Sequence, residues 1–477
     1  MKKFSKRFLS ILTALAMIYT IFLSPVSEIV GFAGESVKAG AVTKIEKVTI
    51  GSFVCNILLD GTLAIKEYLG WEADVVIPSE MNGMIVKKIS DSAFRDNRKI
   101  ETIDIPLTVQ QIEPRAFLGC ENLKSVKIPD GIERISWATF ADCQNLKSVY
   151  LPDSICEIGK EAFRACFALE EINLPQNLSS IGESAFLSCT SLPNVVLPDK
   201  LESLGYMSFY NCSSFTDIVI PQNTTAIGEG AFQNCKLLKS ITLPDSLTYI
   251  PGSVFQDCVS LTNIELPEQI NYIGDEAFYG CANLEAINLP EQVVHIDEDA
   301  FYGCVNLETI NLPTKLTTIG AGAFKECSSL NNIIIPEAVE KISDNTFQGC
   351  NNTNIITILT KSLITDYSIG FDNARKKNDN LLIKCVKNSY AVQYAEKFGF
   401  NYEIITENSV LDNSSDSVAN VNSKTDNSYT ESNTGNQENG QNTEPSNQSP
   451  LIPVAVATSI IAVGAITAGI IIKIKKH

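Results

Sequence analysis

The sequence predicts a repeat solenoid: short β-rich units stacked in one register, with a parallel sheet along one face and a cap at each end. Three observations predict it. Proline recurs every 23 residues from Pro106 through Pro129 and Pro152 to Pro336. Phenylalanine keeps the same step from Phe94 to Phe347, and cysteine keeps it from Cys120 to Cys350. A fixed period of this length marks units that cannot bury their apolar side chains alone and do so by stacking on their neighbours.

The elements follow in chain order. Residues 1–41 read as an export signal: Lys2, Lys3, Lys6 and Arg7 precede an apolar run from Phe8 to Leu23, and Ala39-Gly40-Ala41 fits a small-residue cleavage site. A cut near Ala33-Gly34, or retention of the segment as an anchor, are the alternatives. Residues 42–90 read as an N-terminal cap, with a hairpin from Phe53 to Ile65 around the Asp60-Gly61 turn. The first unit is irregular, because Pro78 stands 28 residues before Pro106 and Asn97 takes the cysteine position.

Residues 91–350 hold the regular units. Val126 and Ile128 alternate with Ser125 and Lys127, the period-two pattern of a half-buried strand, and Pro129 ends it for want of an N–H. Ile132 and Ile135 return to the core before Phe140. The residue ahead of the phenylalanine stays small (Ala93, Ala116, Thr139, Ala162, Ser208, Val254), as close packing requires. Each unit offers about six aliphatic side chains, worth ~1.5–3 kcal/mol apiece on full burial.

Residues 351–405 read as a C-terminal cap, in which Leu381 to Lys384 precede a short helix from Ser389 to Glu396 with Ser389 as its N-cap. Residues 406–450, dominated by Asn, Ser, Thr, Gln, Glu and Gly, read as a disordered polar stalk. Residues 451–472 carry no charged side chain, and a helix of that length, at ~1.5 Å per residue, spans the ~30 Å hydrocarbon layer. Lys473, Lys475 and Lys476 make residues 473–477 a basic cytoplasmic tail. No LPxTG-like sorting signal precedes this transmembrane helix. The reading is a protein secreted by the signal-peptide route and anchored in the cell membrane, facing outward.

The unit pattern L-x2-I-x-[IL]-P-x2-[LIV]-x2-I-[GS]-x2-A-F-x2-C resembles the BspA-like leucine-rich repeats of bacterial surface proteins. The entry segments around Asp60-Gly61-Thr62 and Ile77 to Gly83, and the exit helix at Ser389, resemble the ends of that family, so the likeness runs from Val48 to Ile405. It implies a curved leucine-rich-repeat solenoid and a role in surface adhesion or host-protein binding.

Chemistry of other kinds finds little support. A formal charge of −18 argues against nucleic acid as a partner. Only His295 and His477 could serve as catalytic imidazoles, and no CxxC, HExxH, GxSxG or phosphate-loop motif is present, so neither an enzyme nor a cofactor is expected. Eleven of the fourteen cysteines share one repeat position. Stacked rungs lie ~4.8 Å apart with parallel side-chain vectors, which favours buried free thiols over the alternatives of disulfides or a metal. Asn97 in the same column suggests a group that also hydrogen-bonds backbone, and Cys156 alone falls on an outward position. Acidic residues before the Ala-Phe pair (Glu183, Asp275, Glu276, Asp297, Glu298, Asp299) read as a solvated turn that opens a short helical segment. A calcium site would need oxygens converging from several directions.

The leading function is a non-enzymatic cell-surface adhesion protein that binds a protein or glycan on a host or neighbouring cell. The alternative is an envelope scaffold that binds wall polymers or sister chains. A flexible stalk of this length has a reach of only ~35–40 Å, which keeps that alternative open. The outward strand positions, among them Ser125, Ser148 and Asn194, are mostly small and polar. One column departs from this. The position before the second buried isoleucine becomes Tyr249, Tyr272 and His295 in three consecutive units, an expected exposed stripe about 10 Å long at ~4.8 Å per rung. Tyr279 and Tyr302, each following a core phenylalanine, are expected to widen the patch.

Overall fold

The computed structural model describes residues 46–405. The export signal, stalk, transmembrane helix and basic tail expected at 1–41, 406–450, 451–472 and 473–477 lie outside the described residues. Among the described residues no helix is long and apolar enough to cross a membrane.

Each unit makes one rung, and the rungs build two parallel ladders, the first of them interrupted at residues 194–196 and 263–265. The first ladder contains Asp74–Val76, Thr102–Asp104, Ser125–Lys127, Ser148–Tyr150 and Glu171–Ile172. Its central residues Ile103, Val126 and Val149 are buried while their neighbours face water, as the alternation requires. The same position pairs again in Asp217–Val219 with Ser240–Thr242 and in Ala286–Asn288 with Thr309–Asn311. A second ladder, two residues wide, runs from Arg134–Ile135 through Glu157–Ile158, Ser180–Ile181 and Ser203–Leu204 to Ala226–Ile227. It resumes at Tyr249–Ile250 and continues to Leu363–Ile364. The break between the two sections falls where Pro251 replaces the glycine seen at Gly228 and Gly274. Those glycines donate N–H to the preceding rung at 2.8 and 2.9 Å, and proline has none to give.

Between the second ladder and the next rung the chain makes successive turns and no helix, so the expected helical opening is not formed. Ala116 N–H donates to the Glu113 carbonyl across Pro114 and Arg115 (φ 59°), and Cys120 N–H donates to the Phe117 carbonyl across Leu118 and Gly119 (φ 72°). A left-handed residue at the third position with proline free to occupy the second is the type II arrangement. The two left-handed positions recur every rung, as Ala138 and Asp142, then Glu161 and Ala165. The alternating N–H groups of Arg115, Phe117 and Gly119 are thereby left to donate to Trp137, Thr139 and Ala141 of the next rung at 2.8–2.9 Å. A helix would turn all of its N–H groups along its own axis and sever the rungs.

The core is a column of phenylalanines from Phe94 to Phe347, each ring centroid 5.1–6.3 Å from the next. Tyr68 and Phe53 extend the column into the N-terminal cap. Each ring lies beneath a small buried residue such as Ala116, Thr139 or Ser208.

The caps solve the problem of the open ends. At the start, Glu46–Ile50, Phe53–Ile57 and Leu63–Tyr68 form an antiparallel meander. The expected hairpin is present, its loop fastened by Thr62 N–H donating to the Asp60 carboxylate at 3.1 Å, with Gly61 at φ 78°. The longer spacing between Pro78 and Pro106 is a second hairpin, Glu80–Met81 with Met84–Ile89, turning through Asn82 (φ 52°) and Gly83 (φ 77°). Two left-handed residues are what a two-residue turn of this hand needs. At the far end the first ladder runs past residue 350 without a break, through Asn332–Ile335, Ile355–Ile358, Leu382–Val386 and Asn401–Ile405. The helix Tyr390–Phe398 covers these last rungs with Ala391, Tyr394 and Ala395 and stops at the left-handed Gly399. Ser389 stands at the expected N-cap position and is buried, but its hydroxyl makes no capping bond.

Candidate binding site

Tyr249–Ile250, Tyr272–Ile273 and His295–Ile296 pair in register in the second ladder, and Thr318–Ile319 follows. The isoleucines point inward, so the three preceding rings share the outer face. Tyr249 is 41% exposed, His295 is exposed and Tyr272 is half-buried. The rings do not stack on one another. The Tyr272 hydroxyl donates to Asp297 on the following rung, which draws this ring against the protein. Burial, then the Asp297 carboxylate, push its phenol well above the usual tyrosine range. Tyr272 meets His295 edge-on, with centroids 6.4 Å apart at 64°. Tyr249 opens the section that follows the Pro251 break, so its backbone neighbour on one side is missing.

Tyr279 and Tyr302 do stack, at 4.7 Å and 4°. The Tyr302 hydroxyl donates to Glu326 at 2.9 Å, and Lys325 Nζ lies 5.1 Å from the ring centre. Burial and the Glu326 bond raise the Tyr302 phenol to about 12. This pair belongs to the turn segment after the core phenylalanines, not to the ladder. No ring contact joins it to the Tyr249, Tyr272 and His295 group among the described residues. The structure therefore resolves the expected single patch into two aromatic groups.

Both groups lie in an acidic stretch that no short motif marks. Residues 240–314 contain twelve Asp and Glu and no Lys or Arg, whereas residues 86–164 contain twelve of each sign. The contrast holds in space. Ion pairs such as Arg115 with Asp91 (2.6 Å) and Lys160 with Glu183 (2.8 Å) fasten the early rungs, and none involves residues 184–365 among the described residues. Burial and the neighbouring Glu298 raise the Asp299 carboxyl above its ordinary range. A window count of charge would have found this block; spacing-based motifs do not.

The cysteines form no cross-links: all fourteen are free, thirteen are buried and Cys156 is exposed. Burial drives the thiols of the repeat column upward, those of Cys120, Cys235 and Cys350 to about 12. That protonation state is the opposite of what a nucleophile or metal ligand needs.

The sequence profile of the BspA type leucine rich repeat region matches in six copies over residues 87–215, 156–274 and 248–376. Among solved structures, a leucine-rich repeat protein from Bacteroides ovatus ATCC 8483 is 28% identical with a TM-score of 0.58, over 77% of this chain and 100% of that one. A leucine rich cell surface protein from Faecalibacterium prausnitzii A2-165 is also 28% identical, with a TM-score of 0.50 over 67% of this chain and 96% of that one. No curated protein matches the chain. With rungs of the expected period and a profile match that spans more than half of its length, the chain belongs to the BspA type leucine-rich-repeat family.

Proposed function

We propose that this protein is a non-enzymatic adhesion module of the cell surface, which binds a protein or glycan partner through the outer face of its second ladder. Membrane anchoring through residues 451–472 belongs to the same proposal. The observation that carries it is the in-register set of Tyr249, Tyr272 and His295, where a repeat position that is usually small or charged turns aromatic in three successive rungs. Tyr249 and His295 supply the accessible rings, and Tyr272 holds the stripe to the body through Asp297. Aromatic rings on a rigid platform suit binding because they offer contact area at small entropic loss. The 28% identical relative described as a cell surface protein supports the location.

The test is to compare the full-length chain with its Tyr249→Ser and His295→Ser variants on arrays of glycans and matrix proteins, and to record melting temperatures alongside. The expected result is at least a tenfold loss of binding with melting unchanged. Lowered melting with intact binding would make the stripe a structural feature.

A further inference from the structure

Besides the break at Pro251, the second ladder is open between Gln111–Ile112 and Arg134–Ile135, where no proline accounts for it. Arg134–Ile135 pairs forward with Glu157–Ile158, but nothing pairs it backward with Gln111–Ile112, which instead pairs with Met84–Ile89. The flanking bonds show the same gap. Gln110 N–H donates to Lys87 and Cys156 N–H to Glu133, both at 2.8 Å, yet Glu133 N–H does not reach Gln110. Only the Ser136 hydroxyl crosses, to the Ile112 carbonyl at 2.7 Å.

The opening coincides with an altered turn at Gly131. Ten rungs close the turn after the repeat proline with the same bond, for example Val109 N–H to Pro106 (3.0 Å) and Ile155 N–H to Pro152 (3.1 Å). The rung of Pro129 lacks it. Gly131 sits at φ 91°, a conformation closed to the Thr108, Ser154 and Asn177 found at this position in adjacent rungs, and its N–H donates to the Ser154 hydroxyl at 3.1 Å.

A groove of about 810 Å³ occupies the opening. Trp137 lines it, 42% exposed, in a chain that has only two tryptophans. The Arg115 guanidinium lies over the indole, 5.0 Å from its centre, and is not among the groove-lining residues. Around the indole stand Gln110, Gln111, Glu133, Arg134 and Glu157. Neither Arg134 nor the two glutamates take part in an ion pair among the described residues, so their planar polar groups are free to bond a ligand.

We propose that this opening is a saccharide-binding groove, with the Trp137 indole as the platform for one sugar ring and the surrounding carboxamide, carboxylate and guanidinium groups as hydrogen-bonding partners for its hydroxyls. A sugar has one weakly polar face of C–H groups and a rim of hydroxyls that both donate and accept, which matches one indole ringed by donors and acceptors. A peptide strand fits less well. The gap is two residues long, and the Ser136 bond already ties its end, so there is no edge along which a strand could pair. Unpaired groups of both signs favour a neutral sugar over an anionic one.

The test uses the full-length chain carrying Trp71→Phe, which leaves Trp137 as the sole emitter. Titration with cellohexaose, chitohexaose and maltohexaose should give a saturable change in emission with at least one of them. Calorimetry on Trp137→Ala should then show at least a tenfold loss of that binding with an unchanged melting temperature. If Trp137→Ala melts lower, Arg134→Ala on the exposed rim serves in its place and should show a loss of the same sign. Gly131→Ser, which favours the closed turn of the other rungs, should weaken binding while raising the melting temperature. No saturable change with any of the three sugars, or undiminished binding after loss of the indole or the guanidinium, overturns the proposal. A short extended peptide that competes for the groove when the sugars do not would overturn it as well.

Discussion

Each cysteine of the repeat column donates its thiol to the carbonyl of the phenylalanine one rung earlier, at 3.1–3.3 Å from Cys120 to Cys350. The same carbonyls accept the N–H that closes their own turn, as Phe117 does from Cys120. The side chain is thus a buried donor small enough to pack between rings. In the native protein Cys156 alone should react with a thiol reagent, and the rest should react only on unfolding; early labelling of several column cysteines would contradict the packing. Their titration also fixes a pH dependence. Folded-state pKa values lie above the unfolded value, so the stabilising difference is complete below about pH 8.5. It is lost as pH rises toward 12, because the unfolded chain releases thiol protons that the fold retains, at up to about 1.4 kcal/mol per pH unit for each thiol. Melting in reductant should therefore fall steeply above pH 9, and less steeply in a Cys235→Ala variant. At the neighbouring ring, Phe232→Ala should cost roughly 3–5 kcal/mol by denaturant melting, since it empties a fully buried position between two other rings.

At the scale of the element, the ladders depend on how closely the backbones of successive rungs approach. A Cβ on Gly205 would lie 2.5 Å from the backbone of Gly182 and Glu183, with no flexible group to yield. Gly205→Ala should therefore destabilise by about 1–3 kcal/mol or force a local opening, visible as faster amide exchange in the second ladder at Ser203–Leu204. Where the sequence departs from this glycine, the ladder has other fates. Pro251 breaks it, and Asp297 keeps its N–H bond to Ile273 (3.0 Å) while its carboxylate captures the Tyr272 hydroxyl. Tyr272→Phe should accordingly cost about 1 kcal/mol through loss of that bond. A variant that melts unchanged would show that Asp297 does not hold the stripe.

Over the whole described solenoid, charge is divided along the rungs. The early rungs balance their signs and pair them, while residues 240–314 carry only acids and no ion pair among the described residues. Repulsion between unpaired surface charges is screened by salt. Raising salt from about 20 mM to about 0.5 M should therefore slow amide exchange in rungs 240–314 more than in rungs 86–164; equal changes in both would remove charge repulsion as the cause. The one-dimensional fold is also why so much was legible in the sequence. Because each rung contacts only its neighbours, a residue's surroundings repeat with its position in the unit. The period of 23, the inward isoleucines, the buried thiol column, the outward Cys156 and the cap hairpin at Asp60-Gly61 could all be read from spacing alone. The helical segment expected to open at the acidic turn before the Ala-Phe pair did not form, because its sequence signals are shared with tight turns, and only the demand of the next rung for alternate N–H groups decides between them. For the same reason spacing brought Tyr249, Tyr272 and His295 into register but could not orient them. Tyr272 bonds Asp297 across a rung and meets His295 edge-on, and the left-handed Gly131 stands at the groove beside Trp137. The sequence by itself determined what recurs, since recurrence is a property of order along the chain. The tertiary structure decided what happens at the departures from the repeat, because those depend on which backbone groups of adjacent rungs are left without a partner.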